Sequence, residues 1–201
     1  HELPPMENMK RDTLIDVHHA ILPETARATP APAKLRAAAV EIPGQPAFRT
    51  LAPADMVLHS ATHLFYGEFE HGLRDLVDID RLLRHFGCDR AFWDGLVPRA
   101  RELELGRPLF YALRSAQRLL GTRVPDQVLE DSRRDAPNAV LLALMDWLFG
   151  HAMLPSHPGI DRLATAPARL LLYIRANWLR MPPLLLARHL FHKALISPKH
   201  A

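Results

Sequence analysis

The chain has 201 residues, of which 48% are hydrophobic and 23% are charged, a composition typical of a globular protein and not of a disordered or fibrous one. Its single cysteine, Cys88, excludes an internal disulfide and a multi-cysteine metal site, and this is typical of a reducing compartment. Arg or Lys interrupts every leucine run near the C-terminus, so no membrane-spanning helix is predicted. We therefore expect a cytoplasmic protein.

The first residues, HELPPM, carry neither the basic stretch nor the apolar stretch of a secretory signal. The chain also opens with His1 and not with Met. We expect that a segment upstream of His1 has been removed.

Residues 13–22 (TLIDVHHAIL) predict a β-strand, because the segment is short, contains β-branched residues and is stopped by Pro23. Alternation along this strand would place Asp16 and His18 on one face. A carboxylate presented in this way is suited to a bound Mg²⁺. The polar face of an edge strand produces the same pattern, so the residues alone leave both interpretations open.

Proline and glycine mark most of residues 23–53 as irregular, around a short predicted helix with the sequence AKLRAAAV. A second small strand is predicted at Phe48–Leu51. We place a domain boundary in this region, between residues 52 and 53.

From Pro53 onward the spacing of apolar residues predicts helices almost to the end of the chain. They cover residues 53–66, 72–86, 90–104, 106–121, 125–134, 137–152, 160–180 and 182–196. The first two carry apolar stripes at helical spacing and are predicted to pack as an antiparallel pair. No period of 20–50 residues repeats. The predicted fold is mainly α, a multi-helix bundle preceded by a short β-strand and α segment.

His59 and His63 lie one helical turn apart, opposite the apolar stripe of their helix, with His71 and Asp75 following. This spacing suits a transition-metal pair, although no glutamate completes an H-E-x-x-H motif. Two other interpretations fit the same pattern, namely solvated or capping histidines and histidines of a ligand pocket or domain interface.

The helix predicted over 72–86 carries a polar stripe, which consists of Arg74, Asp78, Arg81 and His85. Arg74 and Asp78 are spaced to pair on a solvated face. Asp75 and Asp80 fall within the apolar sectors, where a carboxylate needs a partner or a favourable helix end. We expect Asp75 to be tolerated in the first turn, and Asp80 to pair with Arg84.

The C-terminal segment is basic, since no acid follows Asp161. Its cations are Arg162, Arg169, Arg175, Arg180, Arg188, Lys193 and Lys199. Leucine and aromatic residues alternate with them, a pattern that fits an anionic membrane surface or a polyanion. A helix pair packed on the domain with its arginines solvated fits equally well.

The chain contains no G-x-G-x-x-G, P-loop or G-x-S-x-G motif. The order of its segments, however, resembles the uncharacterised nucleotidyltransferase family, a branch of the DNA polymerase β-like superfamily. The resemblance extends over about residues 1–125 and is carried by HELPP, LIDVHHAIL, LAPADMVLHSATHLF, LRDLVDIDRLL and FWDGLVPRARELELGRPLFYALRSAQRLLGTRVP.

The resemblance implies a Mg²⁺-dependent transfer of a nucleotidyl group from an NTP to an acceptor that the sequence does not identify. Asp16 would correspond to the third metal-binding carboxylate of the family and is the predicted catalytic and metal residue. The family's Gly-Ser turn and two further aspartates would lie upstream. Because two Mg²⁺ ions need several carboxylates, this chain alone is not expected to be active.

On the same resemblance, residues 1–52 would be the C-terminal remnant of an α+β nucleotidyltransferase domain. Residues 53–201 would be a helical domain that closes over the nucleotide or acceptor. His63 and Asp78 match polar positions of the family pattern, and Arg74 would face a phosphate, where a guanidinium binds through two hydrogen bonds.

The candidate substrate-binding residues are His18, His59, His63, Arg74 and Asp78. An alternative from another functional class is a non-catalytic helical module that binds a membrane surface or a protein partner through its basic C-terminal helices.

Overall fold

A computed structural model describes residues 6–8, 10–11, 13–15, 17–67, 69–153 and 164–195. This part of the chain is mainly α-helical, as predicted, with two small β-hairpins. Its helices are α1 (Pro32–Ala38), α2 (Pro53–Tyr66), α3 (Gly72–Phe86), α4 (Arg90–Glu102), α5 (Gly106–Leu120), α6 (Asp126–Ser132), α7 (Ala139–Ala152), α8 (Thr165–Arg180) and α9 (Pro183–Leu195).

The first hairpin pairs β1 (Met6–Asn8) with β2 (Thr13–Ile15) in antiparallel orientation. The prediction of one strand over 13–22 is wrong from Val17 onward. Ile15 pairs with Met6, and among the described residues the ladder does not extend beyond this pair. Residues 17–22 contain a single bridge residue, His18, followed by bends, and they are available to line a cleft.

The second hairpin pairs β3 (Val40–Ile42) with β4 (Gln45–Thr50). It confirms a second small strand near residue 48, although that strand begins earlier than predicted. The predicted AKLRAAAV helix ends two residues early, because Val40 joins β3. Gly44 makes the turn at φ 76°, a left-handed conformation that favours glycine.

Helices α2 and α3 begin and end at the predicted residues. Pro53 occupies the first turn of α2, where its missing N–H costs no hydrogen bond. Gly67 follows its last turn, and a Cβ atom at this position would lie 2.0 Å from the backbone oxygen of His63. The predicted packing of α2 against α3 is confirmed.

The core is centred on α2, with α3 and α5 against it and the C-terminal helices completing it. Phe65 of α2 is fully buried, and its ring centroid lies 5.7 Å from that of Tyr111 on α5 and 5.0 Å from that of Phe149 on α7. Leu22 and Leu35 belong to the same buried cluster. The division into two domains at residue 52 stays a prediction.

A buried ion pair ties α2 to α4. The Asp55 side chain is fully buried, and Arg99 donates to both carboxylate oxygens at 2.8 Å. Arg99 also donates to the backbone oxygen of Lys34 at 3.0 Å, which connects α1 to the same point. Asp55 and, secondarily, Glu102 raise the pKa of the Arg99 guanidinium against the opposing effect of burial. One arginine therefore joins three helices.

The predicted partner of Asp80 is confirmed, since Arg84 Nε donates to its Oδ1 at 2.7 Å. Thr122 donates to the same oxygen at 2.5 Å, which links α3 to the segment after α5. On the exposed stripe of α3, Asp78 lies 3.8 Å from Arg81, so its ion pair in the structure is with Arg81 and not with the predicted Arg74.

Arg175, one of the cations in the basic C-terminal segment, is half-buried and packs against the core. Its Nη1 donates to the backbone oxygen of Phe65 at 2.6 Å, and its guanidinium lies 5.7 Å from the ring centroids of Tyr111 and Phe149. Burial lowers the pKa of Arg175 and raises the pKa of Tyr111. This cation therefore serves packing, and only part of the basic segment faces outward. Over the residues described, none of the helices has the length and apolar character needed to cross a membrane.

Candidate functional site

A two-lobed cleft lies where residues 18–51 meet α2 and the end of α8. The larger lobe has a volume of about 810 Å³ and the smaller about 570 Å³. Both are lined by His18 and His59, so these two histidines stand where the lobes meet. We call the two lobes together the histidine cleft. The turns that replace the predicted strand after Ile15 form one wall, and the exposed face of α2 forms the other.

His59 and His63 project from that exposed face, as their spacing predicts. Desolvation in the cleft lowers the pKa of His59, and the nearby His63 and His18 lower it further. The His59 imidazole is therefore neutral at pH 7, with one nitrogen able to donate and the other able to accept a hydrogen bond.

His63 lines the smaller lobe and lies at the α2–α3 junction. Its Nδ1 is 3.7 Å from Oδ2 of Asp75, beyond hydrogen-bond distance, and 71% of its side chain is exposed. Asp75 lies in the first turn of α3, where the helix dipole favours a carboxylate, as expected from the sequence.

Three arginines add positive charge to the cleft. Arg36 and Arg49 line the larger lobe, and Arg180 lines the smaller one. Neither lobe is lined by an Asp or Glu among the described residues. Glu41 lies 3.5 Å from Arg49, but both side chains are mostly exposed, so the pair is weak. The cleft is therefore suited to an anionic ligand.

The end of α8 is held at the cleft by backbone contacts. Thr25 donates through its hydroxyl to the backbone oxygen of Arg180 at 2.7 Å, and the Arg27 backbone N–H donates to the oxygen of Leu179 at 2.9 Å. These bonds join positions more than 150 residues apart. They explain how a residue of the basic C-terminal segment reaches a cleft formed by the N-terminal region.

Of the five predicted substrate-binding residues, the structure brings His18, His59 and His63 together at the cleft. Arg74 and Asp78 are exposed on α3 and line neither lobe. The predicted catalytic residue Asp16 lies outside the described residues, two positions before His18 in the sequence. The roles assigned to all six stay predictions.

Sequence reasoning missed the cleft arginines and the Asp55–Arg99 pair. Arg36 and Arg49 belong to no recognisable sequence motif, and Arg180 is one of seven cations after Asp161. A signal for Asp55 was present, because it shares the helical spacing of the buried Leu58 and Phe65. A carboxylate on a buried stripe requires a cationic partner.

The described residues do not fit a Mg²⁺ site. Mg²⁺ takes oxygen ligands, whereas the cleft offers imidazole nitrogens and guanidinium groups. Within the part of the chain that the structure describes, no group of three or more His, Cys, Asp or Glu side chains is placed to hold a metal ion. Among the same residues, no third ligand side chain is therefore grouped with His59 and His63 to form the transition-metal site considered for them.

The fold and the cleft define a helical protein with a positively charged cleft at the join of its N-terminal region and its helices. A family model described as uncharacterised nucleotidyltransferase matches residues 1–121. The chain therefore belongs to this nucleotidyltransferase family, and the match includes β1 to α5 together with most of the cleft. Searches of curated proteins and of solved structures returned no significant match.

Proposed function

We propose that this protein takes part in the Mg²⁺-dependent transfer of a nucleotidyl group from an NTP to an acceptor, and that the histidine cleft holds the phosphates of the nucleotide. The observation that carries the proposal is the charge of the cleft. Three arginines and four histidines line it, with no Asp or Glu among the described lining residues.

A triphosphate presents several negative oxygens along a flexible chain. Guanidinium groups suit it because each can donate two parallel hydrogen bonds to a phosphate, which an ammonium group cannot. Arg36 and Arg49 face one lobe and Arg180 the other, so phosphate oxygens in either lobe meet a cation. The larger lobe, at about 810 Å³, is within the size range of small-molecule sites.

His59 provides a different kind of contact at the meeting point of the lobes. Because its imidazole is neutral at pH 7, it can donate a hydrogen bond to a phosphate or accept one from a hydroxyl without adding charge. We propose that it lies between the nucleotide and the acceptor.

Asp16 remains our candidate for the metal carboxylate, because it precedes His18 by two residues and, by the family resemblance, would correspond to the third metal-binding carboxylate. Since the described residues supply no carboxylate at the cleft, metal binding would have to come from Asp16 and carboxylates outside those residues.

The proposal is tested by calorimetric titration of the protein with ATP, CTP, GTP and UTP in the presence of Mg²⁺. We expect at least one nucleotide to bind, and binding to weaken in an Arg36→Ala/Arg49→Ala double variant. The matched control is Arg134→Ala, an exposed arginine that lines neither lobe. Absence of binding to every nucleotide contradicts the function, and equal binding by the double variant contradicts the location.

Two single variants test the roles predicted from the resemblance. Asp16→Asn should weaken the metal-dependent part of binding and leave binding without metal unchanged. Arg74→Ala should weaken binding only if this arginine reaches a phosphate, so unchanged affinity would remove it from the site.

A further inference from the structure

Helix α9 exposes a large apolar face. Leu184 is 86% exposed, Leu185 49% and Phe191 62%, whereas Leu186 on the opposite side is buried against the domain. Leu184, Arg188 and Phe191 follow one another at i, i+4 and i+7, so the exposed arginine lies between the two most exposed apolar side chains. Such a mixed face is typical of helices that lie at a lipid–water interface.

Helix α8, which packs against α9, extends the exposed apolar surface. Leu170 is 59% exposed, Leu171 48% and Trp178 44%. The guanidinium of Arg27 lies 4.3 Å from the ring centroid of Trp178, which places another cation beside an aromatic ring at the surface. Tryptophan beside arginine is favourable at the level of lipid headgroups.

Helices α8 and α9 differ in charge from α7, which also exposes apolar side chains. No acid follows Asp161 in the sequence, so both α8 and α9 are free of negative side chains. Helix α7 also exposes apolar side chains, including Val140, Leu144 and Trp147, but it contains Asp146 and neither Lys nor Arg. Apolar exposure coincides with an exposed cation at Arg188 on α9 and at Arg27 beside Trp178 of α8, whereas α7 has neither Lys nor Arg.

We propose that α9 and the outward face of α8 bind the surface of a membrane that contains anionic lipids. The apolar side chains would enter the boundary between headgroups and acyl chains, while Arg188 and the neighbouring cations contact lipid phosphates and carboxylates. A second copy of this face is disfavoured as partner, because α8 and α9 carry no acid that could pair with Arg188 of the other copy. The inference is independent of the proposed nucleotidyl transfer.

The test is co-sedimentation of the protein with vesicles of phosphatidylcholine alone and of phosphatidylcholine mixed with phosphatidylserine. We expect binding to the mixed vesicles that decreases at high salt, because surface charge is screened. Leu184→Ser/Phe191→Ser and, separately, Arg188→Glu should each reduce the vesicle partition coefficient by roughly tenfold. The matched controls are Val140→Ser/Leu144→Ser on α7 and Arg134→Glu, and these should bind as the unchanged protein does.

Equal binding to both kinds of vesicle, or equal loss in the controls, would overturn the proposal, as would no binding to the mixed vesicles. Self-association in light scattering that the α9 variants abolish, without vesicle binding, would assign the face to a second copy instead. Circular dichroism checks that each variant folds. Nucleotide titration of the α9 variants should be unchanged, which keeps failure of this inference distinct from failure of the proposed function.

Discussion

Helix α2 carries two ionisable residues one turn apart, Asp55 and His59, that differ in what surrounds them. Asp55, on its buried side, has its charge matched by Arg99 at 2.8 Å through both oxygens. His59, on its exposed side, faces a cleft in which the nearby groups are cations or other histidines. Asp55 has its partner within the fold, whereas the surroundings of His59 have excess positive charge that a ligand can neutralise.

The same criterion, whether a charged group already has a partner within the fold, distinguishes structural from ligand-binding arginines in this protein. Arg99 is bonded to Asp55, Glu102 and a backbone oxygen, so its donors are occupied by the fold. Arg36 and Arg49 line a cavity and have at most a weak surface partner. Removing the Asp55–Arg99 pair should therefore change the stability of the fold. Replacing Arg36 or Arg49 should change ligand binding.

The largest effect is expected from Asp55→Ala. The variant leaves the Arg99 guanidinium without its buried partner, and we expect a loss of about 3–5 kcal/mol in the free energy of unfolding. Chemical denaturation measures it. The control is Asp126→Ala, an exposed acid in the first turn of α6, which should cost less than about 1 kcal/mol. A similar small loss for Asp55→Ala would show that the pair is not structural.

A partly exposed ion pair provides an intermediate case. Asp146 on α7 accepts from Arg114 at 2.7 Å and from Arg118 at 2.5 Å. Burial acts to raise the pKa of Asp146, but the hydrogen bonds and charges of the two arginines outweigh it and lower the pKa. Asp146→Asn should therefore reduce the free energy of unfolding by about 1–2 kcal/mol at pH 7.

The pH dependence of this effect has a definite sign. A depressed native pKa stabilises the fold above the unfolded pKa, about 3.9 for aspartate, and this stabilisation is lost as pH falls through the native value. The difference between the original protein and Asp146→Asn should thus shrink below about pH 4. Unfolding curves from pH 7 downward measure it, and a constant difference would contradict the role of the carboxylate charge.

A smaller effect, on affinity and not on stability, is expected at the cleft. Arg36→Ala and Arg49→Ala should each weaken nucleotide binding about fivefold, since a partly solvated contact to phosphate contributes about 1 kcal/mol. The free energy of unfolding should stay within about 0.5 kcal/mol of the original. A stability loss equal to that of Asp55→Ala would show that Arg36 and Arg49 have a structural role, as Arg99 does.

The smallest effect is expected from His63→Ala. Because His63 is mostly exposed and 3.7 Å from Asp75, its loss should change stability by less than about 0.5 kcal/mol. It should, however, raise the pKa of His59, which the charge of His63 lowers. Titration of the histidine ring resonances by NMR measures this shift, and an unchanged or lower midpoint would show that the two rings do not interact.

Much of the helical architecture was predictable because local signals carry it. Pro53 and the glycines after α2 and α3 set those helix ends, and the packing of α2 against α3 follows from their apolar stripes. The strand over 13–22 was predicted too long, since its composition was suitable but residues 17–22 form no ladder in the structure. A strand needs a partner, and the length of that partner is not a local property.

The candidate site was predictable only in part. The spacing of His59 and His63 placed both side chains on one exposed face, as the structure has them. Arg180 was missed because it reaches the cleft through α8, which is held by contacts to Thr25 and Arg27 far away in the sequence. Contacts of this kind depend on how the helices pack.

The sequence by itself determined the mainly helical class, the exposed histidine face of α2 and the absence of acids after Asp161, because each depends on residue type and local spacing. The tertiary structure alone decided that Asp55 and Arg99 pair across 44 positions, that Arg175 is half-buried against aromatic rings and that Arg180 joins the cleft. The physical reason is that burial and the nearest partner decide whether a charged side chain stabilises the fold or is available to a ligand. Both are set only when distant segments pack together.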